Sequence, residues 1–322
     1  MRSSLPMMLA LSLALVACGS DPAADPDGGS TPRIDSGTTP IDGGPIGTDA
    51  GPVVADSGPR PDGGPNADFA TVDFGPHPLA VGQERTVCVV LDAGNEMARQ
   101  VRAIRTHLPI GSHHMILYRT SEPVRETPYP CFPFADGGEA IFIAETVEAS
   151  LEYPADAALA FGPSQHVRLE IHQVNYTEAP IGVTASVTFD FYPVGEPAHA
   201  PVQFLFTGDM GLTLPPRETT TVHSFHRVPS GARIFALTSH THSLGTYAAI
   251  HRARSETDFD EPPLHESTEW AEPPLDTFDP PLELPSSEGL RLTCEYMNNT
   301  EATVTFGLGF EDEMCFLWAY WY

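Results

Sequence analysis

Short runs of β-branched and aromatic residues recur from about residue 70 onward, and turn residues close each run. In residues 183–192 and 290–296, for example, apolar and polar side chains alternate. Alternation with a period of two is the pattern of a strand with one buried face. Few helical periods lie between the runs, and many short strands at near-even spacing are typical of sandwiches and barrels. The pattern therefore predicts an all-β protein.

The same pattern predicts how the strands are grouped. The predicted strands are residues 86–91, 115–118, 167–171, 183–192, 232–237, 290–296 and 302–307. Residues 255–288 contain three proline pairs and no period, which predicts a long loop. A division near residues 193–201 gives two domains, residues 67–197 and 198–322, each of a size that suits one β-sandwich core.

The first 66 residues differ from the rest. Arg2 and the apolar run at residues 5–17 predict a secretory signal peptide, residues 1–17. The run ends Ala17-Cys18-Gly19, which resembles the lipidation site of bacterial lipoproteins; an ordinary signal followed by a stray cysteine is the alternative. Residues 18–66 are rich in Asp, Gly and Pro and predict a disordered tether. We expect a lipid anchor in the cell envelope, and by resemblance to lipoprotein sorting in Gram-negative bacteria, the outer membrane.

Composition narrows the classes of function. The net charge is −27, with 43 acidic residues against 16 basic ones, and every basic residue is arginine. Without lysine the chain has no Schiff-base chemistry and no Walker-type phosphate loop. The strong acidity argues against nucleic acid as a partner, because phosphate recognition needs a basic patch.

Four cysteines remain once Cys18 is assigned to the anchor: Cys88, Cys131, Cys294 and Cys315. An even number in an exported protein predicts two disulfides, for which three connectivities exist. Pairing neighbours in sequence keeps each bridge within its own domain, so we expect Cys88–Cys131 and Cys294–Cys315. No thiolate is then left to act as a nucleophile.

Two groups of histidines are candidates for metal binding. His240 and His242 are two residues apart in an extended run, so both side chains can project from one face; a solvated strand face would show the same spacing. His113 and His114 are adjacent and can share a metal only at a bulge or strand end, which Gly111 favours. Otherwise one of that pair would be buried and hydrogen-bonded and the other exposed.

Two single residues add to these groups. His172 ends an apolar run, and Met314 follows three acidic residues and precedes Cys315. Each by itself is typical of a buried structural residue. Together with the histidine pairs they form a set of imidazoles and one thioether, which suits copper that cycles between two oxidation states. The thioether stabilises the reduced ion.

As a set, these residues and their surroundings resemble the copper type II, ascorbate-dependent monooxygenases, the family of peptidylglycine α-hydroxylating monooxygenase and dopamine β-monooxygenase. The matching stretches are residues 112–118 (SHHMILY), 167–172 (VRLEIH), 214–219 (LPPRET), 229–242 (PSGARIFALTSHTH), 294–300 (CEYMNNT) and 307–315 (GLGFEDEMC). They occur in the family's order and span nearly all of residues 70–322.

The resemblance implies two tandem jelly-roll-like antiparallel β-sandwich domains, each with one copper ion facing a cleft between them. His113, His114 and His172 correspond to the ligands of the copper that stores and passes an electron. His240, His242 and Met314 correspond to those of the catalytic copper. The family also contains a bridge that matches Cys294–Cys315 and another that Cys88–Cys131 fits.

The chain also departs from the family. The peptide-acting branch has an arginine and a tyrosine that hold a peptide carboxylate, and Thr238 and Trp318 occupy those positions here. The tyrosine usual after the third histidine is Gln173. None of these changes removes a ligand, but the first two argue against a glycine-extended peptide as substrate.

The resulting hypothesis is a copper-dependent monooxygenase with two copper ions per chain. It would hydroxylate a C–H bond of an unidentified small molecule or envelope component, with O₂ and a reductant such as ascorbate. The alternative is a non-catalytic envelope lipoprotein that binds copper for sequestration or sensing. A third interpretation, an adhesion or carbohydrate-binding sandwich, predicts no tightly bound metal.

Overall fold

The computed structural model describes residues 68–131, 134, 137–309 and 311–322. All regular secondary structure in these residues is β-strand, which confirms the all-β prediction. The signal peptide at residues 1–17, Cys18 and the tether at residues 18–66 lie outside them. A search of the same residues for a helix that is long and apolar enough to cross a bilayer finds none.

Twenty-one strands make up the described chain, and each of the seven predicted runs overlaps one of them. The first eleven are β1 (Phe69–Leu79), β2 (Glu84–Asp92), β3 (Arg99–His107), β4 (Ser112–Thr120), β5 (Arg125–Pro130), β6 (Gly138–Ala144), β7 (Glu148–Glu152), β8 (Ala157–Phe161), β9 (His166–Val174), β10 (Ile181–Phe191) and β11 (Ala200–Pro201). The others are β12 (Gln203–Gly208), β13 (Thr213–Leu214), β14 (Thr219–His226), β15 (Arg233–His240), β16 (Gly245–Ala253), β17 (Pro263–Ser267), β18 (Asp276–Glu283), β19 (Gly289–Met297), β20 (Val304–Thr305) and β21 (Phe316–Trp321).

Strands β1 to β11, which we call the first half, form two sheets. One has the order β1-β10-β3-β8-β11, with β7 also paired to β3, and the other has the order β5-β2-β9-β4-β6. Apolar residues from both sheets, such as Val89, Ile104, Leu117 and Val187, belong to one buried cluster. The alternation along β10 explains this packing, because it turns the apolar positions toward the cluster and leaves Thr and Ser at the other face.

Strands β12 to β21, the second half, form two four-stranded sheets, β12-β21-β15-β18 and β14-β19-β16-β17, and the pair β13-β20. Leu237, Ile250, Leu292 and Leu317 belong to a second buried cluster shared by the two larger sheets. The boundary between residues 197 and 198 and the jelly-roll form of each half stay predictions.

Both expected disulfides are present. Cys88 pairs with Cys131 in the first half, and Cys294 pairs with Cys315 in the second. Cys294 lies in β19 and Cys315 immediately precedes β21, so this bridge joins the two larger sheets of the second half. It also fixes the backbone next to Met314.

The two halves pack against each other through an apolar cluster. Ile116 and Ile143 from the first half meet Trp318 from the second half in this cluster. Beside it, the Ile143 N–H donates a hydrogen bond of 3.1 Å to the hydroxyl of Tyr320. This contact brings the end of β6 against β21, and it determines which side chains of the two halves meet.

The prediction of a long loop over residues 255–288 is wrong, because β17 and β18 lie within it. Both are edge strands: β17 pairs with β16 alone and β18 with β15 alone. Proline lacks the N–H that an inner strand must donate, so it is confined to edges, strand starts and bulges. Pro263 begins β17, and Pro280 and Pro281 lie where the pairing of β18 with β15 shifts register.

Candidate metal centre

His113, His114 and His172 come together at one end of the β4–β9 pair. Ring nitrogens of all three lie within 4.8 Å of one another. His114 and His172 are cross-strand partners, and their ring centroids are 5.1 Å apart. The antiparallel register therefore places two of the predicted ligands side by side, although 58 positions separate them in sequence, from 114 to 172.

The distortion that adjacent histidines require is present at the start of β4. The pairing with β9 shifts register between Ser112 and His114, which leaves His113 at the irregularity. Gly111 has a positive φ of 97°, and a Cβ there would lie 2.6 Å from Cδ1 of Ile181. A glycine is needed at this point, and the irregularity lets His113 turn toward its neighbour.

The nitrogens of this set are oriented by their partners. The Nε2–H of His172 donates a hydrogen bond of 2.8 Å to Glu84, which leaves Nδ1 of His172 as the nitrogen with a lone pair. The Nδ1 atoms of His113 and His114 are 3.1 Å apart. Two nitrogens at this separation can both bind one ion at a metal–nitrogen distance of about 2 Å.

His240 and His242 form the second set. β15 ends at His240, and His242 lies two residues beyond it. The ring centroids are 5.2 Å apart with the rings perpendicular. The Nδ1–H of His242 donates to the carbonyl of Asp312 at 2.8 Å, so its Nε2 carries the lone pair.

Met314 lies in the segment that supports His242. Its side chain is buried, and its carbonyl accepts a hydrogen bond of 2.7 Å from the hydroxyl of Tyr296. Asp312, which accepts from His242, is two residues before it. The backbone around Met314 is thus tied both to the second histidine set and, through Cys315, to β19.

Glu313 holds the two parts of this second set together. Its carboxylate accepts backbone N–H groups of His242 at 2.9 Å, Leu244 at 2.7 Å and Met314 at 3.3 Å. Burial raises the pKa of Glu313 to about 6, against the lowering effect of these donors. The role of Glu313 was not predicted from the sequence, although the three acidic residues before Met314 were a visible signal.

Glu145, which follows β6 in the first half, contacts the second set. The Nδ1–H of His240 donates to one carboxylate oxygen, and the indole N–H of Trp318 donates to the other at 3.1 Å. His240 is left with its Nε2 lone pair, as His242 is. Glu145 and His240 are 95 positions apart, and no local pattern in the sequence pointed to the pair.

The two histidine sets abut. The ring centroids of His114 and His240 are 5.8 Å apart, and those of His113 and His242 are 6.3 Å apart. This differs from the expected cleft between two separate sites. The physical reason is the packing of β6 against β21, which brings Glu145 and its partner His240 up to β4.

Burial keeps the imidazoles of His113, His114, His172 and His242 neutral at pH 7. Desolvation, with smaller contributions from neighbouring histidines, lowers the pKa of His113 to about 3. It lowers the pKa of His242 to about 3 and that of His114 well below its usual value. The pKa of His172 is lowered as well, because desolvation outweighs the opposing effect of Glu84. A neutral imidazole is the form that binds a metal.

These donors fit copper. Orienting partners on His172, His240 and His242 leave one nitrogen of each ring for a ligand, which is the usual arrangement around metal-binding histidines. The donor set contains imidazoles and one thioether, without thiolate, since the four described cysteines are in disulfides. Such donors suit copper in both of its oxidation states.

The positions that depart from the peptide-acting branch are buried. Thr238 and Trp318 are 3% and 1% exposed, and Trp318 is engaged with Glu145. Neither side chain carries a positive charge for a carboxylate. Gln173, also buried, accepts from Arg85 at 3.0 Å and lies beside the first set.

Residues 218–322 match the family model of the copper type II ascorbate-dependent monooxygenase C-terminal domain. His240, His242 and Met314 lie in the matched span, so the resemblance is confirmed for this part of the chain. No curated protein matches the chain.

Two solved structures have a low similarity to this chain. The major capsid protein P2 of bacteriophage PM2 has 10% identity over 79% of this chain and 96% of its own, with a TM-score of 0.36. The STIV MCP has 9% identity over 79% of this chain and 95% of its own, with a TM-score of 0.35. At these TM-scores the likenesses carry no argument.

Proposed function

We propose that this chain is a copper-dependent monooxygenase that hydroxylates a C–H bond of a small molecule with O₂ and a one-electron reductant such as ascorbate. One observation carries the proposal: the two histidine sets abut, and the buried Met314 lies in the segment that supports His242. The match of residues 218–322 to the monooxygenase family supports it. His113, His114 and His172 would hold one ion, and His240, His242 and Met314 the other.

Copper bound at both sets would supply the two electrons that hydroxylation requires, one from each ion. The reaction balances as R–H + O₂ + 2e⁻ + 2H⁺ → R–OH + H₂O. The chain's own residues prepare the donors for this task. Glu84 and Glu145 orient His172 and His240, while Glu313 fixes the backbone of His242 and Met314.

Burial of the centre has a second effect. His172, His240 and His242 are each less than 5% exposed, so little water reaches this part of the donor set. A dry site favours the neutral imidazoles and protects reactive species from side reactions. Storage alone has no need for two sets of different chemistry, which favours catalysis over sequestration.

We also propose that the enzyme acts in the cell envelope, tethered through Cys18 to the outer membrane of a Gram-negative bacterium. This rests on the apolar run of residues 5–17 and the Ala17-Cys18-Gly19 junction. The acidic tether at residues 18–66 would separate the catalytic part from the lipid surface.

The test is the copper content of the full chain after loading and dialysis, measured by elemental mass spectrometry. We expect two ions per chain, and one each in His172→Ala and Met314→Ala. Matched controls are His107→Ala and Met210→Ala, since both residues are exposed. The controls should retain two ions.

Ascorbate-driven oxygen uptake by the dialysed protein separates catalysis from sequestration. We expect uptake by the native chain and its loss in His172→Ala and Met314→Ala. Two bound ions without uptake would favour the sequestration or sensing function. Fewer than two ions in the native chain would contradict the two-site centre itself.

A further inference from the structure

A pocket of about 320 Å³ opens beside the first histidine set. Its wall is mainly apolar, with aliphatic and aromatic side chains from both halves: Leu108, Ile110, Val147, Val174, Tyr176 and Trp270. Ligand pockets typically have volumes of about 300–1,000 Å³, so this one suits a molecule at the small end of that range.

The pocket reaches the candidate metal centre. His113 and Glu145 are part of its wall, so it touches a donor of the first set and the residue that orients His240. The ring of Trp270 lies 6.0 Å from the ring of His113, tilted by 32°. A molecule in the pocket would therefore be held between an indole and the imidazole cluster.

The mouth of the pocket is apolar and exposed. Ile110 is 65% exposed, Val147 is 47% exposed and Tyr176 is 68% exposed. Single exposed apolar residues are ordinary, but a contiguous group at the mouth of a pocket is typical of a binding site. Together these three side chains would cover the outer face of a bound molecule.

The charges of the wall disfavour an anion. Among the described residues, two carboxylates, Glu145 and Glu272, and no arginine line the pocket. At the mouth, desolvation together with Glu84 and Glu311 raises the pKa of Tyr176 to about 12. Desolvation is the largest cause of this shift, and Glu84 and Glu311 add negative charge near the opening that would repel a carboxylate or phosphate.

A cation would have to share the one buried carboxylate among the described residues of the wall with donors already bound to it. Both oxygens of Glu145 already accept hydrogen bonds, one from His240 and one from Trp318. The other carboxylate, Glu272, is exposed, and its attraction is weakened by water and salt. Removal of an ammonium group from water would therefore be only partly compensated in the pocket.

We propose that this pocket binds the substrate, and that the substrate is an uncharged, mainly apolar molecule of about one aromatic ring with a short side chain. The inference rests on the proposed function and specifies its substrate class. The pocket is too small for a polymer of the envelope to enter. It differs from a peptide site because the described residues of its wall include no arginine or lysine to pair with a carboxylate.

The test uses three probes of one shape and different charge: 3-phenylpropanamide, 3-phenylpropanoate and 3-phenylpropylammonium. Binding to the full chain is measured by titration calorimetry in 0.15 M salt, on copper-free and copper-loaded protein. We expect the amide to bind at least about tenfold more tightly than either ion. Tighter binding of either ion than of the amide, or no binding of the amide, would overturn the proposal.

Val147→Arg provides an independent test. Its side chain is exposed at the mouth, and its backbone carbonyl keeps its 2.8 Å hydrogen bond with Leu108, so we expect the fold to be retained. The added charge should weaken amide binding and raise propanoate binding about tenfold. Val194→Arg, at a similarly exposed valine outside the pocket wall, should change neither. Equal effects in both variants would place the binding elsewhere.

Amide binding and copper content, measured on the same protein, distinguish a failure of the pocket from a failure of the proposed function. Amide binding to the copper-free chain does not depend on the metal, so it tests the pocket alone. Two bound coppers without amide binding would overturn the pocket and leave the proposed function standing. If the protein binds the amide but takes up no copper after loading, the pocket would stand and the proposed function would be overturned.

Discussion

Glu145 and His240 are joined by a hydrogen bond that crosses from one half of the protein to the other. Glu145 follows β6 of the first half, and His240 ends β15 of the second. The indole of Trp318 donates to the second oxygen of the same carboxylate at 3.1 Å. The orientation of a candidate metal ligand in one half thus depends on correct packing against the other.

Glu145→Gln should weaken copper binding at the second set by about 10- to 100-fold, the usual cost of removing a partner that orients a ligand. The amide keeps the size of the side chain but loses the charge that holds the Nδ1–H of His240. The measurement is competition with a colorimetric Cu(I) chelator. Glu148→Gln, at an exposed glutamate three residues away, is the control. An unchanged affinity in Glu145→Gln would contradict the role given to this bond.

Glu84→Gln should weaken copper binding at the first set in the same way. Glu84 holds Nε2–H of His172, so its loss should weaken the first set by about tenfold and spare the second. Glu84 is partly exposed, so we expect a smaller effect than that of the buried Glu145. The same competition assay, combined with Met314→Ala to isolate the first set, measures it. An unchanged copper affinity of the first set in this double variant would contradict the role given to Glu84.

The two disulfides should differ in what they control. Removing Cys294–Cys315 by alanine substitution should cost about 3 kcal/mol of unfolding free energy, and removing Cys88–Cys131 about 4 kcal/mol, from the lengths of the loops they close. Only the Cys294–Cys315 bridge adjoins Met314. We therefore expect weaker copper binding at the second set without Cys294–Cys315, and unchanged binding there without Cys88–Cys131.

Denaturant unfolding and the Cu(I) competition assay measure the two quantities separately. Removal of Cys88–Cys131 should lower the unfolding free energy more, yet leave copper binding at the second set unchanged. If copper affinity instead followed stability, the bridge would have no specific effect on Met314.

Asp276→Asn should destabilise the protein more at pH 5 than at pH 7.5. The Nδ1–H of the buried His265 donates to Asp276 at 2.8 Å, and its Nε2 accepts from the hydroxyl of Ser239, next to His240. Desolvation lowers the pKa of His265, and Asp276 opposes that shift. Without the carboxylate the pKa falls further.

The sign follows from proton binding. Because the pKa of His265 is lower in the folded chain than in the unfolded chain, the unfolded chain binds more protons below pH 6.5. The stability present above pH 6.5 is therefore lost on acidification. Asp276→Asn enlarges this loss. At pH 7.5 we expect a cost of about 1–2 kcal/mol from the hydrogen bond. Denaturant unfolding at both pH values, with Glu283→Gln as a surface control on β18, checks it. A cost independent of pH would contradict the assignment.

Much of the site was visible in the sequence, because residue type and strand period are local properties. Alternation located the strands, and the number of cysteines and their order predicted the bridges. The six candidate ligands were chosen by donor chemistry and by resemblance to a family. For five of them the structure gives direct ring contacts within or between the two sets.

Tertiary structure decided the rest, because hydrogen bonds between distant residues depend on packing, which no local pattern records. Glu145 and Glu84 have no distinctive sequence setting, yet each orients a histidine. The prolines of β17 and β18 suggested a loop because only the sheet order reveals that these strands are edges. The sequence thus determined which donors exist, and the contact between the two halves determined that the two histidine sets meet.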